Sequence, residues 1–356
     1  MTCIKNMSSK KPKIAMIVNS NIYSGLEKVA SEIMMDLKSN FEFIYVTKNG
    51  PVVDRFKELG QEYYLIDEVS VKEIKQFIKE WNPDIIHAHD FRASTIVALC
   101  GFNKFISHLH NNPLWIKKLN SNSLAYLLFG IKAKKVLIVS DSVKNEFIFH
   151  NLIRNKYKCI GNPLSRRNIV DSITEDSEKK YDLCCVGRVE EQKNPFRFIS
   201  VVKELTINKP DIKACWVGEG SLKQQCNDYI VKSNLEKNIE FLGYKKNPYQ
   251  VMNQSRIFML TSDWEGFGLV AFEALSLGLP CVVSSVGGLT DIVDDSCGYL
   301  CSNQQDFGDS VNKLLNDKIL YEKMVNSAIE KSKQLDNRKD YMEEIASIYY
   351  ELLGEK

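Results

Sequence analysis

The feature that most restricts this chain is an alternation repeated along its length: short apolar runs of four to eight residues, each followed by a longer amphipathic stretch. Short apolar runs suit strands buried on both faces, and the stretches between them suit covering helices. The pattern reads as parallel sheets built from strand–helix–strand units. In the first half the strand candidates are 13–20, 41–47, 62–66, 84–89, 105–110, 136–140 and 158–161. The helix after the first strand is the clearest, with Leu26, Val29, Ala30, Ile33, Met34 and Leu37 on one face. A polar segment at 165–180, carrying Ser, Asp and Glu, reads as a linker. A second series follows it, with strands at 183–186, 213–217, 239–242, 257–261 and 280–284. Two doubly wound units of similar size imply an α/β protein of two Rossmann-like domains facing a central cleft, one over 1–165 and one over 166–340. Ligands of such sheets sit beyond the carboxyl ends of the strands. The final stretch, 341–353, is helical, with Ile345, Ile348, Tyr349 and Leu352 on one face.

A length of 356 residues suits two such domains. The net charge of +2 gives no nucleic-acid footprint. The ten cysteines include the adjacent Cys184 and Cys185 in an apolar run and form no C-x-x-C pair, so all are expected as reduced core thiols of a cytoplasmic protein. The start, 1–12, is polar, and the apolar stretch 14–18 is too short for a signal-peptide core. No window approaches the ~20 apolar residues of a spanning helix. The expectation is a soluble protein, or one attached to a membrane surface.

The most informative segment follows the strand candidate that ends at Thr261. It reads Ser262-Asp263-Trp264-Glu265-Gly266-Phe267-Gly268 and then a helix through Leu277, in which Glu273 is the only charge. A carboxylate on so apolar a helix needs strong donors, because an unpaired buried charge costs several kcal/mol, of order ~3–5. Sugar or ribose hydroxyls are such donors; a neighbouring backbone is the structural alternative. The glycines leave N–H groups at the positive end of the helix, where a phosphate binds. Gly266-x-Gly268-x-x-Ala271 loosely matches the dinucleotide fingerprint, which belongs in the first strand–helix turn of a domain, whereas this is the fourth. Cys185-Val186-Gly187-Arg188, with Lys193 five residues on, puts two cations at the mouth of a strand, suited to a diphosphate. Ser24-Gly25-Leu26-Glu27 stands between the first strand and its helix, where Gly25 permits close backbone approach. Of five histidines, His87 and His89 end one strand, and His108 and His110 end the next. Zinc is one reading of two H-x-H ends, but no carboxylate or cysteine pattern completes a site. A structural role fits His87 and His89. An active-site role fits His110, which Asn111, Asn112 and Pro113 follow.

Taken together, these residues resemble the retaining glycosyltransferases of family 4, which have the GT-B fold. Glu265 to Glu273 is similar to their E-x7-E motif, and the resemblance covers almost the whole chain: Ser24-Gly25-Leu26-Glu27, the strands ending at Asp90 and His110, Asn162-Pro163, Gly187-Arg188 with Lys193, Gly218-Glu219-Gly220, Leu242-Gly243 and Gly278-Leu279-Pro280. Ser24 stands where the family often has a second glycine. By this resemblance Arg188 and Lys193 neutralise the diphosphate of a nucleotide-sugar donor, and Glu273 accepts from its ribose hydroxyls. Glu265 and the backbone of Phe267, Gly268, Leu269 and Val270 hold the transferred sugar. His110 contacts that sugar near the reacting carbon, Gly25 lets the first domain close on the phosphates, and Tyr244 lies near the base. The resemblance also implies that the final helix, 341–356, crosses back to complete the first domain.

No D-x-D flanked by apolar strand residues is present, and Asp294-Asp295 sits in a turn, so no metal and no other cofactor is expected. Retention without a second placed carboxylate fits front-face attack, as in the family. The expected donor is a UDP-sugar, with GDP-mannose the alternative. The expected acceptor is a saccharide, free or lipid-diphosphate-linked, in bacterial surface-polysaccharide assembly. The rivals are a phosphorylase, for which no pyridoxal lysine is evident, a nucleotide-sugar epimerase and an inactive binding module. The stretch 113–135 mixes Trp115, Ile116, Leu119, Leu124 and Phe129 with Lys117, Lys118, Lys132, Lys134 and Lys135. It reads either as an interfacial segment on an anionic membrane or as core with a solvated lysine edge.

Overall fold

The computed structural model describes residues 10–111, 113–174 and 178–354. Expectations that fall on 1–9, Asn112, 175–177 and the last two residues lie outside them, as does the Leu114 side chain.

Seven parallel strands make the first sheet: β1 (Lys13–Val18), β2 (Glu42–Lys48), β3 (Tyr63–Ile66), β4 (Ile85–His89), β5 (Phe105–Leu109), β6 (Lys135–Ile138) and β7 (Tyr157–Cys159). Their order is β3-β2-β1-β4-β5-β6-β7. Six more make the second: β8 (Tyr181–Val186), β9 (Ala214–Val217), β10 (Ile239–Gly243), β11 (Ser255–Leu260), β12 (Cys281–Ser284) and β13 (Gly298–Cys301), in the order β10-β9-β8-β11-β12-β13. The central strands read as unbroken apolar runs because helices cover both faces; in β4 all five residues are buried, histidines included. Strand order reverses between β1 and β4 in one sheet and between β8 and β11 in the other. Those two switch points are where such sheets hold ligands; Gly25 follows β1 at the first, and Arg188, Lys193 and Glu265 follow β8 and β11 at the second.

The chain forms two compact units, 1–163 with 339–356, and 164–338. The helix Arg338–Leu353 packs within the first unit, burying Tyr341, Met342, Ile345, Ile348 and Tyr349. The rings of Tyr349 and Phe41 meet edge to face at 5.3 Å. The polar segment 165–180 is not a plain linker. Arg166–Val170 is helical, and Ile169 is buried in the core of the second unit beside Leu164. Leu164 also accepts from the N–H groups of Asn337 and Arg338, so the two crossings between units are tied together. Among the nine described cysteines, all free, Cys159 is exposed and Cys100 partly so, which departs from an all-core reading.

Candidate active site

At the carboxyl end of β8 the chain passes Gly187 and Arg188 into a single 3-10 turn, Glu191–Lys193. The Lys193 ammonium pairs with Glu265 Oε1, both side chains nearly out of solvent at 13% and 7% exposure. The Ser262 hydroxyl donates to the same oxygen at 2.7 Å. Sequence reasoning supplied the charges but not this pairing, which depends on β8 and β11 being neighbours. The two loops are stitched together. The Asp263 N–H donates to the Gln192 carbonyl at 2.9 Å. The Thr261 hydroxyl reaches the carbonyls of Lys193 and Asn194 at 3.1 and 3.0 Å, and Arg197 pairs with Asp263 at 2.8 Å. Arg188 is exposed. Its guanidinium donates to Gln192 Oε1 at 3.1 Å, and the Gln192 amide donates to the Trp264 carbonyl at 3.0 Å. The same loop that carries Glu265 therefore aims Arg188.

Behind Glu265 runs a glycine doublet. Gly287 has a left-handed φ of +52°, and a Cβ there would stand 1.8 Å from the Glu265 carbonyl oxygen; the Gly288 N–H donates to the Gly266 carbonyl at 3.1 Å. Gly268 then caps the helix Leu269–Ser276. Phe267, Leu269 and Val270 pack half-buried against the second core. Their backbone thus stays at the helix entrance, where first-turn N–H groups have no partner within the helix. Glu273, on the next turn, is half-buried and accepts from the Tyr249 hydroxyl at 3.0 Å. Tyr249 opens a short helix beyond β10, and Tyr244, on the loop between them, is 64% exposed.

In the first unit Gly25 opens the helix Gly25–Leu37. Both the N–H and the hydroxyl of Ser24 donate to Glu27 Oε2, at 2.9 and 2.6 Å, so the departure at Ser24 serves as a cap. Asp90, just past β4, has φ +75° and accepts from the Ala93 N–H at 2.9 Å. Burial raises its carboxyl to about 6. The four histidines form two hydrogen-bonded pairs. His87 Nε2 meets His108 Nδ1 at 3.2 Å, and His89 Nδ1 meets His110 Nε2 at 2.9 Å. The Tyr349 hydroxyl adds a 2.7 Å contact to His87 Nδ1. Desolvation brings His87 and His110 down to about 3, and His89 and His108 well below the ordinary 6.5.

His87, His89 and His108 each offer a ring nitrogen, all within 4.8 Å of one another. Imidazole lone pairs lie in the ring plane. Here His87 stacks on His89 at 4.3 Å, in layers 22° from parallel. Three lone pairs cannot converge on one ion without turning the rings and breaking the pairs, so the donor set fits a hydrogen-bonded block and not a metal centre.

A model of glycosyl transferases group 1 matches residues 167–331, and one of glycosyltransferase family 4 matches 35–166, so the two run without a gap over both units. The chain belongs to glycosyltransferase family 4. An uncharacterized glycosyltransferase of Methanocaldococcus jannaschii is 30% identical over 65% of this chain, and the chain spans 61% of that relative's length. The UDP-Gal:alpha-D-GlcNAc-diphosphoundecaprenol alpha-1,3-galactosyltransferase of Escherichia coli is 25% identical over 87% of this chain and 89% of its own. The fold matches that of Anabaena HepE, solved with UDP and glucose, with a TM-score of 0.84 at 19% identity over 96% of this chain and 100% of that one.

In this glycosyltransferase, then, Arg188, Lys193, Glu265 and the backbone of 267–270 meet at the β8–β11 switch point. Glu273 stands one helical turn further on, toward the Tyr244 loop. Gly25 and His110 belong to the first unit, past β1 and at the end of β5. Ser262, Gln192, Tyr249 and the Gly287-Gly288 doublet were missed. Of these only the doublet left a signal in the sequence.

Proposed function

We propose that this glycosyltransferase moves a hexosyl or N-acetylhexosaminyl group from a UDP-sugar to a hydroxyl of a saccharide carried on a lipid diphosphate. The anomeric configuration is retained, no metal or other cofactor takes part, and the work is done at the cytoplasmic face of a membrane in surface-polysaccharide assembly. The observation that carries this reading is the buried Lys193–Glu265 pair beside the exposed, pre-aimed Arg188. Lys193 commits one of its three N–H donors to Glu265, which leaves two for a phosphate oxygen. Arg188 forks onto the same diphosphate. Each such donor stabilises the departing charge by ~3–4 kcal/mol, the task a divalent ion performs elsewhere. Asp294, half of the one acidic pair considered above, is already held by Lys331, which lowers its carboxyl to about 2. Glu265 turns its second oxygen to the sugar hydroxyls, Glu273 takes the ribose, and a departing phosphate oxygen receives the acceptor proton. The Escherichia coli relative's donor and lipid-diphosphate acceptor, and the UDP in the Anabaena structure, support the choice of substrates.

Arg188→Ala is the clean test, because Arg188 is exposed: turnover falls about a hundredfold or more and stability is unchanged. Lys193→Ala loses a similar factor but also strands Glu265, at a cost of about 3–5 kcal/mol. In calorimetry with UDP, Glu273→Ala binds more weakly than wild type. Activity persists in EDTA, and NMR shows product and donor with one anomeric configuration. Normal rates in both cation variants, or rescue by Mn²⁺ after chelation, overturn the reading.

A further inference from the structure

Arg188 and Glu190 stand two residues apart, on either side of Val189, which is fully buried. The Val189 backbone is tied down on both of its groups: its N–H donates to the Glu219 carbonyl at 2.9 Å, and its carbonyl accepts from the Leu222 N–H at 3.1 Å. Glu190 is extended, at φ −131° and ψ +164°. Alternate side chains of an extended segment share a face. With Val189 turned into the core, Arg188 and Glu190 both emerge on the outer side. The guanidinium fork that takes a phosphate fits a carboxylate equally well, so Glu190 is a ready competitor for Arg188. Among the described residues, however, Arg188 donates to Gln192 Oε1 at 3.1 Å and forms no ion pair. Both Glu190 oxygens are taken by Ser221, whose N–H donates to Oε1 and whose hydroxyl donates to Oε2, each at 2.7 Å. The Ser221 N–H, then its hydroxyl, and after them Arg188 hold the Glu190 carboxyl below its ordinary range. The arginine is thus within electrostatic reach of a carboxylate that it does not touch. Gly220 permits the close approach, since a Cβ there would stand 2.2 Å from the Val189 carbonyl oxygen.

We infer that Ser221 is a positioning residue for the diphosphate clamp: by occupying both oxygens of Glu190 it keeps that carboxylate off Arg188, and the guanidinium stays open to the donor's phosphates. Ser221 acts through Glu190 and Arg188, not by touching the donor itself. Its hydroxyl is the part that a side-chain change removes; its N–H remains in every variant but proline. This rests on the reading of Arg188 as a ligand of the diphosphate.

Calorimetry of the full chain with UDP, and with uridine in competition against it, tests this. Ser221→Ala releases Glu190 Oε2 to Arg188 and is expected to weaken UDP about fivefold, the scale of one exposed ion pair. Uridine, which has no phosphates, is expected to bind as it does to wild type. The loss disappears in an Arg188→Ala background, because the two changes act on one interaction. Adding Glu190→Gln to Ser221→Ala removes the competing charge and restores UDP binding. Urea midpoints establish that the variants are folded alike. Equal weakening of UDP and uridine by Ser221→Ala means that Ser221 merely fastens the loop, and overturns the inference. A loss that survives Arg188→Ala, or that Glu190→Gln does not repair, overturns it too, as does a Ser221→Ala protein that binds UDP like wild type. In each of these cases Arg188→Ala still weakens UDP, and only this inference fails. If Arg188→Ala binds UDP like wild type, the reading of Arg188 fails and takes this one with it.

Discussion

Burial holds His87 and His110 at about 3 and His89 and His108 well below their ordinary 6.5. As pH falls through 6.5 the unfolded chain protonates these rings, whereas the folded chain keeps His89 and His108 neutral well below that and His87 and His110 neutral down to about 3. Between those values the unfolded state binds more protons, and stability drops as pH drops. Asp90 works in the opposite sense. Its folded carboxyl titrates at about 6 against an ordinary 3.8, so its contribution is present below 3.8 and lost as pH rises through 6. At pH 5 the five groups together give a net uptake of about three protons on unfolding. Urea midpoints are therefore expected to fall steeply from pH 7 to pH 5. A midpoint that is flat over that interval contradicts neutral, buried histidines. Substitution separates the rings: His87→Phe, which removes one buried neutral imidazole, flattens the slope by about one proton.

At the scale of elements, the turn at 287–288 holds the E-x7-E loop in place from behind. Gly287→Ala forces a side chain into a left-handed conformation, about 1–2 kcal/mol, and drives its Cβ into the Glu265 backbone. Gly60→Ala is the matched control, because φ there is +62° with nothing within 4 Å of a Cβ. The prediction is a larger drop in urea stability at 287 than at 60, with UDP binding lost only at 287. Equal effects of the two would mean that the close approach does not matter. The twelve strands expected from apolar runs all form, and the central ones, covered on both faces, are buried throughout, as in β4 and β5. β13 escaped notice: Gly298-Tyr299-Leu300-Cys301 is a short edge run with a glycine at its head. The Arg166–Val170 helix hid behind polar composition, with Ile169 its one buried residue. Lys193 and Glu265 were legible as charges at strand ends. Their pairing was not, since it depends on β11 inserting beside β8, a fact of sheet order that no local pattern carries. Glu273 was rightly expected to need a donor, but the Tyr249 hydroxyl that supplies one lies 24 residues away in sequence.

Across the whole molecule, charge is unevenly spread in a way the net value of +2 conceals. Residues 91–140 contain no Asp or Glu and seven cations: Arg92, Lys104, Lys117, Lys118, Lys132, Lys134 and Lys135. Within that stretch the core reading of 113–135 holds for some residues and not for others. Ile116, Tyr126 and Phe129 are fully buried core, whereas Leu119, Leu124, Leu128 and Ile131 are exposed. The last three are spaced i, i+4, i+7 on the helix Ser121–Lys132, one stripe on its outer face. Among the described residues no helix is long and apolar enough to cross a membrane. If the acceptor is lipid-linked, as proposed, the leucine stripe is the part expected to enter the headgroup region, with the lysines around it. Lys117 and Lys135 are engaged with Glu146 and Glu351, and Lys132 donates to the Ala98 carbonyl at 3.0 Å, so Lys118 and Lys134 are the better probes. Each lysine near an anionic surface contributes ~1 kcal/mol, so replacing these two by Gln weakens vesicle binding by about thirtyfold. Replacing Leu124, Leu128 and Ile131 by Ser weakens it without altering its salt dependence, because those residues act through apolar burial. Sedimentation with phosphatidylglycerol-containing liposomes at low and high salt measures both. Wild-type protein that stays in the supernatant at low salt removes the membrane from the account and makes a soluble saccharide the acceptor.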